Sequence, residues 1–181
     1  MDSHEDLSEK KTVYNLYALF GVALFLCFLP YVSAAIICLI FFTLALVFGY
    51  RVRGSAEEHS LAHNHAVYLI RSLWIGGLFS LIGIVLASVY MLQNMDYGAF
   101  SSCTDTIFDM DVEAIEALGF ADFYAIAEPC IDGFVEGNYR VLMISVILAG
   151  GLPLVYLGYR FIKGASRAIK GYRLANPKAW F

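Results

Sequence analysis

Four cysteines and a cluster of histidines are the most reactive side chains in this 181-residue sequence. A thiol serves as nucleophile, ligand, disulfide partner or small apolar group according to its surroundings. Cys27 and Cys38 lie within uncharged apolar runs, where a thiol is expected to behave as a small apolar group. Cys103 and Cys130 lie in an acidic stretch, and on an oxidising side of a membrane a bond between them would restrict the unfolded chain by about 3 kcal/mol. A Cys103–Cys130 disulfide is therefore expected. Glu57, Glu58, His59, His63 and His65 fall within nine residues. On a helix, His59 and His63 would share a face one turn apart, a spacing at which two imidazoles can hold one metal. His65 is off that face and nothing completes a four-ligand set, so no metal centre is expected, and His59 and His63 are the nearest approach to one.

No Gly-x-Ser-x-Gly, His-Glu-x-x-His, phosphate-cradling Gly-Lys-Ser/Thr or Cys-x-x-Cys pattern occurs. No cofactor is implied, and the reading is of a non-enzymatic protein. His65, Tyr68, Arg71 and Trp74 lie where a polar connection becomes an apolar run. They read either as interface anchors, an indole at headgroup level and a guanidinium reaching phosphate, or as the lining of a polar pocket between helices.

The elements that position these residues follow from where charge is missing. No Asp, Glu, Lys or Arg occurs over Thr12–Tyr50, Ser72–Met95 or Val141–Tyr159. A helix crossing the hydrocarbon core needs about 20 apolar residues, and charges there cost kilocalories. The expected fold is an all-α polytopic membrane protein, a single membrane domain with four spans at 12–29, 32–50, 72–94 and 141–159. The first two would be separated by a Leu29-Pro30-Tyr31 turn. The connection 95–140 holds ten acidic residues and one base, Arg140. It would be exoplasmic, with short amphipathic helices at Asp111–Leu118 and Ala121–Glu128, the second ended by Pro129. Arg51, Arg53 and Arg71, and the bases of the tail 160–181, would mark the cytoplasmic side and place both termini there. Arg160, Lys163, Arg167 and Lys170 recur at spacings of three and four. They suggest a basic amphipathic helix, ended by Asn176-Pro177, lying on anionic lipid headgroups. Nucleic acid is a poor partner for so few bases. Small residues at Gly76 and Ser80, Gly83 and Ala87, and Ser145 and Ala149 allow close packing within a bundle or against a partner helix, through self-association or in a larger membrane assembly. Pro153 would kink the last span.

The stretch His65-Ala66-Val67-Tyr68-Leu69-Ile70-Arg71-Ser72-Leu73-Trp74-Ile75-Gly76-Gly77-Leu78, with Leu81-Ile82-Gly83, resembles the His…Tyr…Ile-Arg-Thr-Phe-Trp-Ile-Gly core of the Tic20-like small bacterial membrane proteins. Tyr159–Gly164, with Asn176-Pro177 beyond it, is similar to that family's closing segment. Ser72-Leu73 stands where the family has Thr-Phe. The resemblance implies a four-helix protein of the bacterial inner membrane, and the lack of a catalytic set, the charge-free runs and the small-residue faces suggest a subunit or accessory of a larger assembly whose acidic outer loop meets partners. A second resemblance is to the DsbB-type quinone-linked disulfide oxidases, through the outer cysteine pair, Cys103 and Cys130. That family carries a further Cys-x-x-Cys pair in its first outer loop, a pattern this chain lacks. A small channel or transporter component is a third reading, against which the absence of charge within the runs counts.

Overall fold

The computed structural model describes residues 2–29, 31–111, 113 and 119–180, with side chains for all of these but 2–6, 32, 99, 102, 103, 106 and 107. Every regular element among them is helical: α1 (Asp2–Leu26), α2 (Val32–Ser55), α3 (Leu61–Asn94), a 3-10 turn (Gly98–Phe100), α4 (Ser101–Phe108), α5 (Phe120–Gly137) and α6 (Tyr139–Ile169).

Three helices are long and apolar enough to cross a membrane: Ser33–Ser55, Leu61–Asn94 and Tyr139–Ile169, with mean hydropathies of 2.3, 2.2 and 2.2. The chain is a multi-pass helical membrane protein. The expectation of four spans is corrected to three among the described residues, because α1 fails the requirement. Its first part carries Asp2, Glu5, Asp6, Glu9, Lys10 and Lys11, so an 18-residue window ending at Leu26 still holds three charges. The uncharged remainder, Thr12–Leu26, extends roughly 22 Å at 1.5 Å per residue, short of a core about 30 Å thick. Two spans are also longer than expected. α3 begins at Leu61 rather than near Ser72, and α6 continues to Ile169 rather than stopping at Tyr159.

The chain divides into two compact units, residues 1–81 with 151–181, and residues 82–150. In the first, α1 buries one face, Val13, Leu16, Tyr17, Phe20 and Leu24, at the three-and-four spacing of a helix. That face meets Ala45 and Val52 of α2, Ala62, Ala66 and Leu69 of α3, and Leu157 and Ala168 of α6 within one apolar core. The Phe161 ring stands edge-on to Phe20 at 5.6 Å between centroids. Gly164 is required where α6 passes α1, since a β-carbon there would overlap the Tyr17 ring. At its polar end α1 is tied to the start of α3: the Glu9 carboxylate accepts from the Leu61 N–H at 3.1 Å. Pro30 lies outside the described residues. The chain before it tightens through Phe28 N–H to Phe25 O and Leu29 N–H to Leu26 O, both 3.1 Å.

The second unit is organised around Asn138, which is 2 % exposed. Its Oδ1 accepts from the Asp96 N–H at 2.8 Å, and its Nδ2 donates to Asp96 O at 2.7 Å and Phe134 O at 2.9 Å. One amide therefore joins the chain leaving α3 to the α5–α6 corner. Gly83 of α3 meets the backbone of α6, since a β-carbon there would lie 2.7 Å from the carbonyls of Leu148 and Ala149. Of the two uses open to these small residues, packing within a bundle or against a partner helix, Gly83 serves the first. α5 runs through Pro129 to Gly137, so Pro129 does not end it. Proline removes one N–H, and the remaining ladder continues on either side. The expected helix at Asp111–Leu118 falls largely outside the described residues.

Candidate functional site

The polar side chains of α3 sort by helical face into a buried set and an open set. Ser60 starts this helix, its hydroxyl accepting from the His63 N–H at 3.1 Å. His59 is therefore in the preceding turn, off the helix, and the expected shared face of His59 and His63 does not form. The described residues contain no group of three His, Cys, Asp or Glu able to hold a metal.

His65 is fully buried. The Tyr17 hydroxyl lies 2.9 Å from its Nδ1, and its Nε2 lies 3.1 Å from Tyr172 O. A carbonyl can only accept, so the proton belongs on Nε2, and in the neutral ring Nδ1 is then free to accept from Tyr17. Burial pushes the Tyr17 phenol well above its ordinary range, which keeps it a donor.

One and two turns along α3, Tyr68 and Ser72 meet Arg160 of α6, the largest fully buried side chain among the described residues. Its Nε donates to Ser72 Oγ at 2.8 Å, Nη1 to Ala179 O at 3.1 Å and Nη2 to Tyr68 O at 3.5 Å. The guanidinium carbon lies 3.6 Å from the Tyr68 ring centroid, and the Tyr68 hydroxyl donates to Arg160 O at 3.1 Å. Among the described residues, carbonyl dipoles, a hydroxyl and an aromatic face hold this buried cation, with no carboxylate among its hydrogen-bond partners.

Arg160 is thereby removed from the proposed lipid-facing set. Its side chain points into the fold, while the exposed residues of this stretch include Ile162 and Ile169. Lys163 is half-buried, with Nζ donating to the Tyr159 hydroxyl at 3.2 Å, and only Arg167 and Lys170 of the four remain exposed. The helix ends at Ile169, closed by Gly171, rather than at Asn176-Pro177. Gly171 has φ +69°, with its N–H on Ala168 O and the Tyr172 N–H on Arg167 O, the paired bonds of a glycine-terminated helix end. The tail then turns back. Asn64 exchanges two bonds with the backbone of Leu174, at 3.0 and 2.8 Å, and the Arg173 guanidinium donates to His59 O at 2.5 Å.

The expected grouping of His65, Tyr68, Arg71 and Trp74 therefore splits. His65 and Tyr68 are sealed inside, whereas Arg71 and Trp74 line a separate concavity with Arg53, Lys178 and Trp180. Tyr17 and Ser72 complete the buried network, half-buried Asn64 holds the tail beside it, and none of the three was legible as a site residue. The available signal was a hydroxyl or amide at helical spacing from His65 and Tyr68.

The cysteines give the second chemical feature. Cys27 and Cys38 form a disulfide with Cα atoms 6.0 Å apart, joining the exit of α1 to the second turn of α2. The expectation that both act as small apolar groups is corrected. The hairpin connection brings residues 11 apart in sequence within bonding reach. Cys38 and Cys130 are each 6 % exposed, and Cys130 is also disulfide-bonded. The side chain of Cys103, its expected partner, lies outside the described residues. Compared with protein-family models, with curated proteins and with solved structures, the chain matches none.

Proposed function

We propose that this chain is a membrane thiol–disulfide exchange protein, and the Cys27–Cys38 bond is the observation that supports it most directly. The missing first cysteine pair was the sequence argument against a DsbB-like role, and a pair at the head of the α1–α2 hairpin removes that objection. A client thiolate attacks Cys27 Sγ, the half-buried partner, and Cys38 leaves as a thiolate. The client's second thiol then attacks the mixed disulfide and releases Cys27. Two electrons and two protons have moved from the client to the pair. Return to the disulfide needs an oxidant of the quinone class, reduced to the quinol by the same two electrons and two protons. The acidic, Cys130-bearing segment is the proposed client-facing side, exoplasmic in a bacterial inner membrane, with the Arg53 end cytoplasmic. Exchange at a Cys103–Cys130 pair is the variant of the same reading that the resemblance to such oxidases implied.

Redox titration of the purified protein in glutathione buffers, with alkylation and peptide mapping, tests this. Reduction of Cys27–Cys38 between about −180 and −280 mV is expected, with one quinol formed per pair on adding decylubiquinone. A bond that stays oxidised below about −300 mV and yields no quinol rejects the assignment. Mapping reports separately whether Cys130 responds.

A second reading has its own observation. Phe108 and Phe120, outside the spans, are 84 % and 86 % exposed. Aromatic rings so placed support docking of this segment in a larger membrane assembly, as an accessory subunit with both disulfides structural. Copurification from mild detergent that is lost in Phe108→Ser, Phe120→Ser would favour it.

A further inference from the structure

The basic concavity beside the buried network is the strongest unassigned feature of the first unit. It encloses about 420 Å³ and is lined by Arg53, Arg71, Lys178, Trp74, Trp180 and the apolar wall around Ile70. Three cations face it and, among the described residues, no carboxylate does. They come from three places in the chain: the last turn of α2, the third turn of α3 and the folded-back tail. The tail's position is enforced from inside, because Arg160 grips Ala179 O between Lys178 and Trp180. Arg71 has a buried Nε with no hydrogen-bond partner among the described residues. Such an atom costs free energy unless something accepts from it, and the bases around it call for an anion.

The neighbouring surface indicates what the anion is attached to. Trp74, its indole donating to the Tyr50 hydroxyl at 3.0 Å, also lines an apolar groove of about 350 Å³ with Leu39, Phe42, Leu73 and Leu157. Cationic and apolar spaces thus share one wall. Both tryptophans of the chain stand at the concavity, 61 % and 49 % exposed, as indoles do at headgroup depth. We infer that Arg53, Arg71 and Lys178 bind the phosphate of an anionic phospholipid, with an acyl chain entering the Trp74 groove. This places lipid recognition at a built site rather than on the exposed bases of α6.

Because both tryptophans line the site, tryptophan fluorescence, excited selectively over the twelve tyrosines, reports on it. The full chain in neutral detergent is titrated with dioctanoyl phosphatidylglycerol, dioctanoyl phosphatidylcholine and inorganic phosphate. A saturable change with phosphatidylglycerol is expected, with half-saturation raised about tenfold or more in Arg71→Gln and in Lys178→Gln. Lys178 is on the exposed tail, so this variant stands if Arg71→Gln fails to fold. An equal response to phosphatidylcholine, or unchanged half-saturation in Lys178→Gln, overturns the assignment. Saturation by inorganic phosphate at the same concentration also overturns it, and assigns the site to a soluble anion.

Discussion

Two arginines of the same unit, Arg160 and Arg71, live under opposite conditions. Arg160 is wholly buried and spends its donors on Ser72, Tyr68 and Ala179, with an aromatic ring beneath it. Arg71 borders an open concavity with Nε unanswered among the described residues. The difference teaches how to separate structural from functional charge in a membrane protein. A buried cation whose donors end on the chain's own carbonyls is part of the fold. A cation held beside others, with no acceptor supplied, awaits a ligand.

The comparison breaks first at Arg160. Arg160→Leu should cost about 3 kcal/mol, since the carbonyls of Ala179 and Tyr68 and the Ser72 hydroxyl lose their donor inside the fold. Thermal unfolding in detergent measures the loss, and limited proteolysis should cut the released tail. A fall below about 0.5 kcal/mol would remove the structural role. Gly164→Ala comes next, at about 2 kcal/mol, because the new methyl competes with the Tyr17 ring. Tyr17→Phe should cost about 1 kcal/mol by leaving His65 Nδ1 without a donor, visible as a shifted imidazole resonance. Arg71→Gln closes the series, with stability within about 0.5 kcal/mol of the parent while phosphatidylglycerol binding falls. Equal destabilisation in Arg71→Gln and Arg160→Leu would erase the distinction.

Charge-free runs made α2, α3 and α6 legible, because hydrocarbon tolerates few alternatives. The same logic overcounted at α1. Thr12 opens a long uncharged run, but the chain breaks soon after Leu26, and the helix reaches back into Glu9, Lys10 and Lys11. Arg160 was misplaced because its spacing from Lys163 and Arg167 suits a solvated stripe, and spacing alone does not say which side of the helix the fold covers. The Cys27–Cys38 bond needed the hairpin's closure, a three-dimensional fact, before two apolar-looking thiols could be paired. The basic concavity was hidden for a related reason. Arg53, Arg71 and Lys178 are far apart in sequence, and the third arrives only because the tail returns past Gly171.

That return has a consequence in time. The partner of Arg160 Nη1 is the carbonyl of Ala179, nineteen residues later. Until Ala179 has been added and has folded back, that nitrogen must keep its water. The first unit can dry and lock only after the tail emerges. A chain cut after Leu174 would still close its helix at Gly171, yet leave a guanidinium nitrogen that nothing has received.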